Sequence, residues 1–291
     1  MTETKSQTLR RLIADARILA APGCWDALTA LMIEQAGFGC AYLSGASIAY
    51  TRLGRSDVGL TDLNDVLDVA SHITDRVGIP LIVDIDTGYG NALNVQKTVR
   101  LLERADVSAM QLEDQSSPKR CGHLADKALI PPTEMAGKIR AALDARRSDD
   151  TVIIARTDAI SVEGFDAAVE RGHLYVEAGC DMLFIEAPES EAQLERISAE
   201  FGDSVPLMAN MVEGGKTPIQ SREVLESLGF SLMIHPGALA RFFARQAAGF
   251  LSALREDGST LTLKGEMLSF DQLNAVIGTP ELLENGRYYD G

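Results

Sequence analysis

Short apolar runs recur along the chain at residues 18–22, 40–44, 81–86, 109–113, 152–156, 182–186, 207–210 and 231–235. Each is followed by a polar or glycine signal, and helical periodicity appears at 60–77, 92–105, 132–146, 164–178, 189–200 and 221–228. Apolar runs without polar alternation are strands buried on both faces, and their alternation with amphipathic helices predicts a parallel sheet. The succession of units predicts an α/β fold, a closed (β/α)8 TIM-type barrel rather than an open doubly wound sheet. Beyond Gly258 the pattern at 261–283 predicts one or two further helices. No Pro/Gly/Ser-rich linker or composition break interrupts the chain, so 1–291 reads as one barrel domain with 259–291 as a C-terminal helical extension.

Composition narrows the function. Lys+Arg 27 against Asp+Glu 42 leaves a net charge of −15, the wrong sign for a nucleic-acid binder. No apolar run approaches the roughly 18 residues of a membrane span. The polar N-terminus lacks a signal-peptide layout. Four cysteines, Cys24, Cys40, Cys121 and Cys180, lie far apart without a CxxC pair, which argues against disulfides and a zinc site and for a reducing cytoplasm.

In a barrel of this kind catalytic groups sit at the C-terminal ends of strands. Those ends carry Ser44, Asp84, Asp86, Glu113, Arg156, Asp158, Glu186, Asn210 and His235. So many carboxylates at one mouth repel one another unless a cation compensates. In Val83-Asp-Ile-Asp-Thr-Gly-Tyr-Gly90, Asp84 and Asp86 are two residues apart and share a strand face. With Glu113 from the next strand they suit Mg2+, and Asp57, on the loop after the second strand, could reach it. The Gly-x-Gly of this segment lacks the third glycine of a dinucleotide fingerprint, and Gly214-Gly-Lys-Thr217 lacks the spacing of a P-loop.

The stretch from Glu113 to Lys127 is long for a barrel loop and predicts a lid. It carries Lys119, Arg120, Cys121, His123 and Lys127, whose cations would lower the Cys121 pKa and make the thiol a usable acid, base or nucleophile. Arg156 suits bidentate capture of a carboxylate, and Ser44-Gly45-Ala46 could present backbone N–H groups to an anion.

Taken in order, Pro22-Gly-Cys-Trp-Asp26, Leu43-Ser-Gly45, Asp57, Asp84-Ile-Asp-Thr-Gly-Tyr-Gly-Asn91, Leu112-Glu-Asp-Gln115, Pro118-Lys-Arg-Cys-Gly-His123, Ile154-Ala-Arg-Thr-Asp158, Phe184-Ile-Glu186 and Ala209-Asn-Met-Val-Glu-Gly-Gly-Lys-Thr-Pro218 resemble the isocitrate lyase / phosphoenolpyruvate mutase superfamily. The Lys-Arg-Cys-Gly-His loop is the most specific of these motifs. The branch it is most similar to holds 2-methylisocitrate lyase, 2,3-dimethylmalate lyase, the plant petal-death protein and carboxyphosphonoenolpyruvate phosphonomutase.

The resemblance implies a Mg2+ barrel, with Mn2+ as a substitute, a gating loop, and a homotetramer (a dimer of dimers) whose C-terminal helices swap between subunits. Carried over, Asp57, Asp84, Asp86 and Glu113 would surround the metal. Tyr42, Ser44, Gly45, Arg156 and Asn210 would hold the 2-oxo or 2-hydroxy carboxylate end, and Glu186 would line the far side. Cys121 would be the proton donor, assisted by Lys119, Arg120 and His123. His235 departs from the family pattern, in which Tyr or another residue precedes the proline, and this bears on the pocket for the substrate's tail. The implied activity is cleavage of a 2-hydroxy di- or tricarboxylic acid. A carboxyphosphonoenolpyruvate-type phosphonomutase is the alternative. Oxaloacetate decarboxylase, phosphonopyruvate hydrolase and a non-catalytic carboxylate-binding barrel come behind.

Overall fold

Eight parallel strands close on one another in the computed structural model, in the order in which they occur along the chain. It describes residues 3–122, 124 and 126–290. The strands are β1 (Leu19–Cys24), β2 (Ala41–Leu43), β3 (Leu81–Asp84), β4 (Ala109–Glu113), β5 (Val152–Thr157), β6 (Met182–Ile185), β7 (Leu207–Asn210) and β8 (Leu232–His235). All eight neighbouring pairs are parallel, β1 against β8 included, so the (β/α)8 barrel expected from the pattern is the fold. Register sets the mouth. Asp84 lies beside Gln111, Glu113 beside Arg156, and Arg156 beside Phe184.

The helices begin where side chains can satisfy the free N–H groups of a first turn. The stretch expected from residue 60 starts as a helix at Leu63, because the Asp62 carboxylate accepts from Asn64 and Asp65 N–H at 2.7 and 3.1 Å. The next, Ala92–Arg104, is capped in the same way by Asn91.

One element falls outside the barrel pattern. The helix Lys5–Ile13 buries Leu9 and Ile13 in a cluster with Leu19, Ala109, Val152, Met182 and Leu232, all at or near strand starts. It plugs the end of the barrel opposite the mouth. Arg10 fastens it by donating to Asp181 Oδ1 at 2.8 Å and to the Asp150 carbonyl at 3.0 Å.

The chain divides into two compact units, Met1–Leu239 and Ala240–Gly291. The second continues the helix Ala238–Asp257 and adds a short 3-10 turn, Leu261–Glu266, and the helices Phe270–Val276 and Thr279–Tyr288. Phe242, Phe243, Leu251, Phe270, Leu282 and Tyr288 of this unit are exposed. Among the described residues no helix is long and apolar enough to cross a membrane.

Candidate active site

Two buried charge clusters meet at the C-terminal mouth of the barrel. The first is acidic. Asp84 ends β3, and its Oδ1 accepts the Asp86 N–H at 3.0 Å and Gln111 Nε2 at 3.3 Å. The Tyr42 hydroxyl, from β2, donates to Gln111 Oε1 at 2.8 Å, so Tyr42 reaches the acids through an amide. Asp86 has a left-handed backbone (φ 48°), as does Gly88 (φ 81°), where a Cβ would overlap Val95 and press on Leu112. Such strain is stored where geometry matters to function. Gly45 faces both acids, since a Cβ there would lie 3.3 Å from Asp86 Oδ1 and 3.4 Å from Asp84 Oδ2. Ser44 instead spends its hydroxyl on capping the short turn Gly45–Ile48, accepting from Ser47 N–H at 3.2 Å.

Lys119 completes this cluster. Its Nζ lies 2.6 Å from Asp57 Oδ1 and 2.6 Å from Asp86 Oδ1. The Lys119 ammonium, expected to assist Cys121 electrostatically, is paired with the acids. Among the described residues no three His, Cys, Asp or Glu side chains close around one cation position as they stand. Burial pushes the carboxyls of Asp84 and Glu113 above their ordinary range and that of Asp86 up to about 7, against the pull of Lys119 and, on Asp84 and Glu113, of Arg156. Burial alone would lower the Lys119 ammonium, but the carboxylates around it outweigh that and hold it well above its ordinary value.

A pH dependence follows. Folded Asp86 titrates near 7 against 3.8 ordinarily, so between those values the folded protein binds more protons than the unfolded chain. Its contribution to stability therefore falls as pH rises through this window. In EDTA, the thermal midpoint is expected to carry a downward component from about pH 4 to about pH 7 that Asp86→Asn removes. An Asn variant with the same slope would assign the effect elsewhere.

The second cluster is built on Arg156. Its guanidinium donates through Nε and Nη2 to Asp158 at 2.9 and 3.1 Å, and stands 3.4 Å from both Glu113 Oε2 and Glu186 Oε2. Asn210 Nδ2 donates to Glu186 Oε2 at 3.0 Å. Ala187 adopts φ 61°, with its N–H held by Glu186 Oε1 at 2.8 Å. Burial would raise the Asp158 carboxyl, but Arg156 and Lys127 outweigh it and hold the group down to about 2. Among the described residues of this cluster, two buried acceptors make no hydrogen bond, Glu113 Oε1 and Asn210 Oδ1. Buried polar atoms without partners are uncommon in folded proteins, and here both face the mouth residues.

Described residues of the 113–127 stretch, which was expected to be a lid, reach these clusters. Gln115 clasps Arg120 through both its amide atoms at 2.8 and 2.9 Å, and Cys121 N–H donates to the Asp57 carbonyl at 3.1 Å. Arg120 is turned outward, 3.2 Å from Asp126. Gly122 packs against the arginine. A Cβ there would collide with Arg156 Nη2 and lie 3.0 Å from Glu186 Cγ, so only glycine permits this approach. Cys121 is half-buried. Burial pushes the thiols of Cys24 and Cys40 far up and that of Cys180 up to about 12, consistent with packing roles. His123 lies outside the described residues. His235 Nδ1 is 3.1 Å from the Met211 carbonyl and 3.8 Å from Glu213.

With this geometry in place, the phosphoenolpyruvate phosphomutase family matches residues 9–254. The chain belongs to this family. It is 40% identical to 2,3-dimethylmalate lyase of Eubacterium barkeri over 278 residues, covering 95% of each chain. It is 43% identical to 2-methylisocitrate lyase of Aeropyrum pernix over 278 residues, 95% of this chain and 88% of the relative. A crystal structure of 2,3-dimethylmalate lyase superposes with a TM-score of 0.93 at 34% identity, covering 100% of this chain and 97% of that one. The chain is a lyase of the isocitrate lyase / phosphoenolpyruvate mutase superfamily.

Four participants in this lyase's mouth were not expected from the sequence in the roles they take. Asp158 seats Arg156, Gln111 bridges Tyr42 to Asp84, Gly122 allows the lid to touch the arginine, and Lys127 joins the lid to Asp158. Asp158 carried a signal as a polar residue just beyond a strand end, Lys127 as a cation of the long loop and Gly122 as part of the Lys-Arg-Cys-Gly-His motif; Gln111 carried none.

Proposed function

We propose that this lyase is Mg2+-dependent and cleaves the carbon–carbon bond of a 2-hydroxy di- or tricarboxylic acid, of the 2-methylisocitrate or substituted malate type, into a 2-oxo acid and a carboxylate. The observation that carries it is the packing of Gly122 on Arg156 and Glu186 at the mouth that holds the buried carboxylates, Cys121 being its neighbour in the chain. The donor chemistry fits the metal. Asp57, Asp84, Asp86 and Glu113 are hard oxygen donors, the Glu113 Oε1 acceptor is unpaired, and Mg2+ held partly through its waters tolerates spread-out carboxylates. When bound, Mg2+ supplies Lewis-acid stabilisation of negative charge developing at the substrate's hydroxyl oxygen.

The chain's own residues do the rest. Arg156, fixed by Asp158, receives the carboxylate beside the hydroxyl carbon, and Asn210 Oδ1, an acceptor without a partner, can take a hydrogen bond from the substrate's hydroxyl. The hydroxyl proton passes to a base at the mouth. The carbon–carbon bond then breaks, and its electron pair stays on the carbon adjacent to the departing fragment's carboxylate. The Cys121 thiol gives that carbon a proton, and the closed lid keeps water from competing.

The direct test is release of a 2-oxo acid from 2-methylisocitrate, 2,3-dimethylmalate, isocitrate, citramalate and oxaloacetate, with Mg2+ and with EDTA, and phosphonopyruvate followed by 31P NMR. Mg2+-dependent release from a hydroxy acid is the expected result. Turnover of the phosphonate alone would move the chain to phosphonomutase chemistry. The exposed apolar residues of the C-terminal unit support assembly into a homotetramer with exchanged helices. Light scattering is then expected to read about 125 kDa, four times the 31.3 kDa chain.

A further inference from the structure

The residues of the lid that are buried, apart from its start at β4, are joined to the barrel by charge rather than by apolar packing. Between 116 and 127 the buried described residues are Lys119, Gly122 and Lys127. Lys119 is bound to the acids that a divalent cation would neutralise, so its hold on the barrel competes with metal. Lys127 is different. Its Nζ donates to Asp158 Oδ1 at 2.8 Å and to the Gly122 carbonyl, and its side chain is only 1% exposed.

Asp158 is itself a fixed point. Its other contacts are the Arg156 fork, and its N–H donates to Asp114 Oδ1 at 3.0 Å. Asp114 in turn accepts from the Thr157 and Tyr175 hydroxyls, each at 2.7 Å, and from Arg171 at 3.2 Å. Arg171 is braced by both oxygens of Glu163 at 2.8 Å. A single carboxylate on this buried scaffold thus holds Arg156 on one side and, through Lys127, the backbone of the lid on the other.

We propose that Lys127 is a positioning residue that clasps the lid at Gly122 to the carboxylate seating Arg156, and so sets the distance between Cys121 and a carboxylate bound by Arg156. The kinetic part rests on the lyase reading above, and the structural part does not. The Lys127 ammonium is bonded to Asp158 and to the Gly122 carbonyl. Its loss leaves Asp158 paired with Arg156, so the effect falls on lid placement rather than on binding. A misplacement of about 1 Å at a reacting group costs on the order of a hundredfold in rate.

The test is amide hydrogen exchange of residues 116–122, with steady-state kinetics, in the full-length protein and its variants Lys127→Met and Lys127→Arg. In Lys127→Met these amides are expected to exchange at least about tenfold faster, while kcat falls by about ten- to a hundredfold and KM changes less than about threefold. Lys127→Arg, which keeps the charge, is expected to recover part of both effects and serves alone if the methionine variant does not fold. Exchange equal to wild type in the variants overturns the clasp. Faster exchange with unchanged kcat overturns the positioning role. If wild type cleaves no hydroxy acid, the lyase reading fails separately, and the exchange measurement still decides whether the clasp exists.

Discussion

Cys121→Ser is expected to lower kcat by about a thousandfold while substrate-analogue affinity stays within a few-fold of wild type. A positioned general acid contributes on the order of 10²–10⁴ in rate, and a serine hydroxyl releases its proton far less readily than a thiol. The substitution is small and its site half-buried, and the lid's backbone bonds, Cys121 N–H to Asp57 and Leu124 N–H to the Cys121 carbonyl, do not involve the side chain. Binding of oxalate in the presence of Mg2+, measured by calorimetry, separates the two quantities. Near-wild-type turnover would remove Cys121 from the reaction.

Arg156→Met is expected to fail in two ways at once. KM should rise by at least tenfold, because a charge-assisted contact to a carboxylate is worth about 1.5–3 kcal/mol. Stability should also fall, by about 3–5 kcal/mol, because removing one partner of a buried ion pair leaves its counter-charges unpaired. Glu113 and Glu186 lose the guanidinium that stands 3.4 Å from each, and Asp158 keeps only Lys127. Arg156→Lys should recover part of the stability and little of the affinity, since an ammonium cannot fork to Asp158 as Nε and Nη2 do. Urea unfolding beside kinetics reads both. Unchanged unfolding in the methionine variant would mean that the cluster does not depend on this charge.

The acid pair shows what a linear pattern conveys. Asp84 and Asp86 stand two residues apart at the end of an apolar run, and a strand's period of two would put them on one face; β3 ends at Asp84, however, and Asp86 joins the same cluster from the turn beyond it, with a left-handed backbone. The same logic placed Glu113, Arg156 and Glu186 at strand ends, and the register that sets Glu113 beside Arg156 brings them into contact. The lid was legible as a length and a composition. Its contacts were not: Lys119 and Arg120 are adjacent in the chain, yet one enters the acids and the other turns to Asp126. The helix Lys5–Ile13 gave no barrel signal because it is not part of the strand–helix repeat; its role as a plug exists only once strand starts converge.

What this chain determines by itself is local and periodic: which runs form strands, which stretches form helices, and which polar residues stand where strands end, since backbone geometry repeats over two or 3.6 residues. Only the tertiary structure decides which charges meet. Lys127 lies 31 positions from Asp158, and Gly122 lies 34 from Arg156, yet closure of the barrel and folding of the lid bring each pair together. Coulomb interaction and desolvation depend on distance and burial, and neither is a property of position along a chain.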